Sequence, residues 1–145
     1  NTALRMVQNP HDAEDILQSI FIEVFGKLDT FRYESSIGAW IKRITVNKCI
    51  NFLKSRRLVF SELTPNSDRA EEQVQETEPV YNVERVNRAI AGLPDGYRVV
   101  FSLYAVEGYD HEEIAQVLGI TEATSKSQYS RAKARLREVL TTNEK

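Results

Sequence analysis

Cysteine occurs once in the 145 residues, at Cys49, and histidine twice, at His11 and His111. A lone thiol excludes an internal disulfide framework and suits the cytosol. One cysteine and two distant histidines are too few ligands for a conventional zinc site, and no other metal or cofactor is implied. No apolar run approaches the roughly 20 residues that span a bilayer, and nothing resembles a secretory signal. The pattern lacks convincing apolar–polar alternation of the strand type and any internal repeat. It also lacks a nucleophile–base pair, metal set or phosphate-binding loop on which an enzyme could be built.

What is present is an ordinary globular composition, 41% hydrophobic and 28% charged. The net charge of -2 conceals a strong segregation along the chain. Lys42, Arg43, Lys48, Lys54, Arg56 and Arg57 form a block without an acid, as do Lys126, Arg131, Lys133, Arg135 and Arg137. Between them Glu62, Asp68, Glu71, Glu72, Glu76 and Glu78 face the single Arg69. Basic blocks of this kind are either solvated helix faces or surfaces for a polyanion, and charge segregation tells more than the sum.

Helical apolar spacing runs almost throughout, interrupted from about Ser61 to Pro79 by a stretch rich in Glu, Gln, Ser and Thr. Such a stretch has little to bury and reads as a flexible, solvated linker. The fold class predicted is all-α, with two small helical domains. The boundaries are 1–57 for the first domain, 58–83 for a flexible acidic linker, and 84–145 for the second. The chain opens with Asn1 rather than Met, inside a helical pattern, and reads as a fragment lacking its natural N-terminus.

In the first domain, Asn9-Pro10 pairs a capping residue with a proline at the first helical position. Asp12, Glu14 and Asp15 suit the positive end of the helix dipole. Ile16, Leu17, Ile20, Phe21, Val24 and Phe25 predict a broad stripe facing the core. At about 100° per residue, Asp15, Gln18 and Ile22 fall on the opposite side, either a partner surface or a singly exposed isoleucine. After a polar loop over Phe31–Ser36 a second long helix starts at Ile37. It carries Ile37, Ile41, Ile44 and Phe52 on one apolar face and Val46, Ile50 and Leu53 on another. Between these faces run Trp40, Arg43, Asn47, Asn51 and Lys54 in one narrow line. A ring for stacking, amides for base edges and cations for phosphates suit exposed nucleic acid, although Trp40 is equally at home in a core.

In the second domain, Val83, Val86, Ile90 and Leu93 predict a short helix, and a further helix spans about Asp95–Val106. His111–Thr121 follows, with a small Ala115, Gly119 four residues later in a turn, and Thr121 to cap the next helix. That order is a helix-turn-helix. On the last helix Tyr129, Ala132, Leu136 and Leu140 define a buried side. Ala123, Ser127, Ser130 and Ala134 lie opposite, flanked by basic residues. Small side chains permit close approach to a major groove while cations meet phosphates. A basic amphipathic helix docked on another protein is the alternative.

Three segments resemble the sigma factors of bacterial RNA polymerase, in the extracytoplasmic-function (ECF) group. Asp12–Phe21 looks like the polymerase-binding helix of sigma region two, and Trp40–Asn47 continuing to Asn51 and Arg56-Arg57 looks like its promoter-melting segment. Leu93-Pro94, Glu113-Ile114-Ala115, Gly119-Ile120, Thr124–Ser127 and Arg131–Lys133 look like region four. The resemblance implies a non-catalytic transcription initiation factor that works in the cytoplasm. Asp15, Gln18 and Ile22 would dock on the clamp helices of the polymerase's largest subunit, and the flap of the second largest would be a further contact. Trp40, Arg43, Asn47, Asn51 and Lys54, with the loop around Phe31–Ser36, would capture a flipped base of the downstream promoter element. Thr124, Lys126, Ser127, Gln128, Ser130, Arg131 and Lys133 would read the upstream element as duplex. An anti-sigma factor is the expected inhibitory partner. Ser125, Gln128 and Tyr129 depart from the family pattern of a branched aliphatic, an arginine and a leucine. The exchange at Ser125 and Tyr129 suggests a large-for-small swap in the core.

Two rivals remain at this point. A stand-alone helix-turn-helix regulator predicts tight operator binding without polymerase. A helical adaptor for proteins predicts no salt-dependent affinity for DNA.

Overall fold

The computed structural model describes residues 2–56 and 82–142. Apart from residues 82 and 83, the acidic linker expected over 58–83 lies outside the described residues, as does Arg57.

The N-terminal unit has three helices: α1 (Thr2–Val7), α2 (Pro10–Lys27) and α3 (Ile37–Ser55). Gln8 takes a left-handed φ of 61° between α1 and α2, which turns the chain so that Asn9 can cap α2. The Asn9 side chain accepts from the main-chain N–H groups of His11 and Asp12 at 2.9 and 3.2 Å, satisfying donors that no helical carbonyl can reach. A short 3-10 turn, Leu28–Thr30, ends α2. Ser36 then caps α3 by accepting from Ala39 N–H at 3.1 Å. The unit buries Met6 and Val7 from α1, Ile16, Ile20 and Val24 from α2, and Val46, Cys49, Ile50 and Leu53 from α3. Spacings of three and four place each set on one face of its helix.

The expected core stripe of α2 is too wide. Leu17, Phe21 and Phe25 are exposed, Phe25 to 74%, and Ile37 at the start of α3 is half exposed. The cause is geometric: among the described residues of this unit, α2 packs chiefly on α1 and α3. Two neighbours cover the arc from Ile16 to Val24 but not the one that continues through Phe21 to Phe25.

The C-terminal unit has α4 (Val83–Ala91), α5 (Asp95–Phe101), α6 (His111–Leu118) and α7 (Glu122–Thr142). Asn82 caps α4 through Glu84 N–H at 3.0 Å, so the last residues assigned to the linker are the cap and first residue of a helix. The helix expected over Asp95–Val106 is present, but its final stretch, Ser102–Val106, widens to π geometry. Ala89, Ile90 and Leu93 pack with Ala132, Leu136 and Leu140 in one cluster.

The two units are not independent. Met6, Val46 and Cys49 share one buried cluster with Val99, Val100, Leu103, Ile114 and Leu118. Among the described residues, no helix is long and apolar enough to cross a membrane.

Candidate nucleic-acid interface

The helix-turn-helix is built as its sequence requires. Asp110 caps α6 by accepting from Glu113 N–H at 2.8 Å. Gly119 ends α6 with φ 70° and ψ 36°, a left-handed conformation that disfavours any residue with a Cβ. Thr121 Oγ1 accepts from Thr124 N–H at 3.1 Å and so caps α7. Ala123, Ser127, Ser130 and Ala134 form an exposed ridge of small residues, while Thr124, Arg131 and Lys133 are half-buried beside it. Lys126 is exposed and pairs with Glu122 at 3.3 Å. Lys133 Nζ sits 4.9 Å from the centre of the Tyr129 ring.

Gln128 is a correction. It was expected to face duplex DNA, yet it is only 1% exposed. It lies three and four residues from Ser125 and Ala132, which are also buried, and so belongs to the packed side of α7. Ser125 is fully buried, with its hydroxyl 2.8 Å from His111 Nδ1. Tyr129 lies against Phe101, Tyr104 and His111, with ring centres 5.7, 4.5 and 5.7 Å away. Of the two positions expected to exchange size, Ser125 is buried and Tyr129 half-buried. Burial, then the charge of Lys126, holds the His111 pKa below its ordinary value.

A second surface lies on α3. Arg43, Asn47, Asn51 and Lys54 are all exposed in a line about 16 Å long at 1.5 Å per residue. Trp40 begins the line half-buried, its ring centre 5.1 Å from that of Phe31. Phe31 in turn lies 4.7 Å from Tyr33, which is exposed and held at a φ of 59°. Phe31 and Trp40 line a cavity of about 330 Å³ together with Arg32, Glu34, Ser35 and Arg43 among others. Flat aromatic walls, one carboxylate and two guanidinium groups are the chemistry that holds a single unstacked base. The individual contributions of Arg32 and Glu34 were not legible from the helical line on α3. The signal available was the run of aromatic and charged residues in a short loop.

The third surface is on α2, where Asp15, Gln18 and Ile22 are exposed as expected, Ile22 to 76%. Exposed Leu17, Phe21, Phe25 and Leu28 adjoin them, so this helix presents a larger apolar area than the sequence reading assigned. Among the described residues, no group of three or more metal-binding side chains occurs.

Comparison with known proteins places each unit. The Sigma-70 region 2 model matches residues 1–59, and the Sigma-70, region 4 model matches 84–136. The RNA polymerase sigma-E factor of Streptomyces coelicolor is 33% identical over 143 residues, covering 96% of this chain and 77% of that protein. The ECF RNA polymerase sigma factor SigE of Mycolicibacterium smegmatis is 31% identical over 143 residues, covering 95% of this chain and 55% of that one. Against SigM of Mycobacterium tuberculosis the share of the relative is 64%; the chain thus spans less than two thirds of these two relatives. Among solved structures, the sigma factor RpoE of Bartonella quintana, in complex with the anti-sigma factor NepR, matches with a TM-score of 0.62 at 25% identity. That match covers 97% of this chain and 88% of the other.

Proposed function

Because the chain belongs to the ECF group of the sigma-70 family, we propose that it directs RNA polymerase core to specific promoters and helps open the DNA there. The polymerase makes the bonds, and this protein supplies sequence recognition and strand capture. The observation that carries the reading is the presence, in one chain, of a helix-turn-helix with a small-residue ridge and a separate aromatic-walled cavity beside Arg43. The first suits duplex and the second suits an extruded base.

In this reading Thr124, Lys126, Ser127, Ser130, Arg131 and Lys133 meet the upstream element. Ser127 and Ser130 allow approach to base edges while the cations contact phosphates. Gln128 supports the helix from inside. Trp40, Arg43, Asn47, Asn51 and Lys54 hold the non-template strand of the downstream element. Capture of one base in the cavity offsets the few kcal/mol that unstacking costs. Asp15, Gln18 and Ile22 dock on the clamp helices of the largest polymerase subunit, and the C-terminal unit on the flap of the second largest. An anti-sigma factor is a partner of the solved RpoE structure, and we extend the same class of inhibitor to this chain. The work is done in the cytoplasm, where the polymerase is.

In-vitro transcription with purified core polymerase on a promoter library tests the reading. Sequence-specific transcripts that depend on this protein are expected. Their absence under all salt and temperature conditions tried would sink it.

A further inference from the structure

Beside α7 stands a titratable group that the contacts proposed above leave unused. His111 opens α6 and packs against two further elements. Its Nδ1 lies 2.8 Å from the hydroxyl of buried Ser125 on α7. One face of the ring stacks on Tyr104 of the π stretch, with centres 4.4 Å apart and planes 15° from parallel. Tyr129 of α7 meets it at a steep 61°, 5.7 Å between centres, and Lys133 lies over that same Tyr129 ring. Among the described residues Nε2 takes no hydrogen-bond partner.

The ring borders the cations of the helix-turn-helix. At about 100° per residue, a walk around α7 from Ser125 meets Tyr129, then Lys133 and Lys126, then Ser130 and the ridge of small residues. Burial opposes a proton on His111 most strongly, and Lys126 comes next. Glu122 of α7 and Asp110, the cap of α6, favour a proton, while Lys133 opposes one. Opposition wins in the chain alone, which holds the ring neutral to lower pH than an ordinary histidine.

The surroundings serve the ring in either state. A neutral Nδ1 accepts from the Ser125 hydroxyl, and a protonated one donates to the same oxygen; an aliphatic side chain at 125 could do neither. Tyr104 packs on the neutral ring and attracts the charged one through its π face. Gaining a proton therefore breaks no contact. Duplex on α7 changes the balance, because phosphates neutralise Lys126 and Lys133 and leave Glu122 and Asp110 unopposed. We infer that duplex binding on α7 is linked to uptake of one proton by His111, whose charged ring then joins Lys126 and Lys133 in facing phosphate. This rests on the upstream-duplex reading above. The sign follows from linkage: the proton is held more tightly with duplex present, so the added affinity is complete at low pH. It is lost as pH rises through the point where the bound ring gives up its proton.

The test follows the imidazole of the whole chain by NMR as pH is varied, alone and saturated with a short mixed-sequence duplex at low salt. The chain has one other histidine, the exposed His11, so a His11→Gln background leaves a single ring to observe. Its titration midpoint should move to higher pH when duplex is added. Affinity of the parent should rise about fivefold from about pH 8 to about pH 6, within the tenfold per unit that one proton allows. His111→Gln, with circular dichroism matching the parent, should flatten that rise. The NMR arm does not need this variant and decides the matter if it fails to fold. A midpoint unmoved by bound duplex overturns the linkage, as does a rise in affinity that persists in folded His111→Gln. If duplex binds at no pH, the upstream-duplex reading fails and the linkage with it.

Discussion

Arg98 donates from Nη2 to the main-chain carbonyl of Met6 at 2.9 Å, across 92 residues of sequence. The guanidinium is buried, anchored in its own unit by Asp95 at 2.6 Å, and its contact is a carbonyl near the end of α1. Carbonyls there have no helical donor, and a cation suits the negative end of the helix dipole. Arg98 thus ties the start of the chain to α5 by satisfying a group that α1 leaves open. Replacing it with Met keeps much of the volume and removes the donors. Arg98→Met should lose about 1.5–3 kcal/mol, the usual range for a hydrogen bond to a charged group, read as a lower midpoint in urea. It should also separate the unfolding of the two units. A midpoint equal to the parent's would show that the contact contributes nothing.

Asn47 stands in the middle of the exposed line on α3 and makes no part of the buried cluster, so its loss should leave the fold intact. On the proposed reading, Asn47→Ala impairs promoter opening more than recruitment. A single lost amide contact is worth about 1 kcal/mol, or roughly a fivefold drop in open complex. Permanganate footprinting beside a gel-shift measurement of closed complex separates the two steps. Equal losses in both would count against base capture.

Asp15 is exposed on α2 beside Gln18 and Ile22 and shares no surface with α3 or α7 in the proposal. Asp15→Lys should weaken affinity for core polymerase by about tenfold through charge reversal at a contact. Binding of the isolated chain to DNA should be unchanged or slightly stronger. Core affinity equal to the parent's would remove α2 from the polymerase contact.

Local signals were legible wherever one residue's chemistry determines one backbone feature. Asn9-Pro10, Gly119 and Thr121 announce their cap, turn and cap because each satisfies or permits something that neighbouring residue types do not. The line from Arg43 to Lys54 was legible for the same reason, since helical spacing alone places it on one face. Legibility failed where burial depends on what packs alongside. Phe21 and Phe25 have the right period for a core, but nothing local says that two neighbours are too few to cover them. Gln128 looks like a DNA contact by type, yet its register relative to Ser125 and Ala132 puts it inside. The joint was least legible of all. Glu107 and Arg98 take partners from the N-terminal unit that no local pattern announces, and Cys49 showed its thiol without showing that it sits between units.

Cys49 provides the last prediction, because it reports on that joint chemically. It is fully buried. Burial first, then the nearby charge of Glu107, pushes the thiol from its ordinary 9.0 up to about 11. At pH 8 the thiolate fraction falls from about a tenth to about a thousandth, so alkylation should slow by roughly a hundredfold from ionisation alone. The same shift gives the pH dependence its sign. The unfolded chain releases the thiol proton above about pH 9, while the folded chain keeps it until about 11. The stability linked to this group is therefore complete below pH 9 and declines as pH rises toward 11. Tyr109 and Tyr129 are also raised by burial and act in the same direction, so the useful quantity is a difference. Cys49→Ala should show a shallower loss of urea stability between pH 9 and 10 than the parent, whatever its absolute stability. Iodoacetamide should modify native parent far more slowly than urea-unfolded parent at the same pH. Parallel pH slopes in the two proteins would mean that the thiol releases its proton alike in the folded and unfolded chain, and the buried position assigned to Cys49 would have to be abandoned.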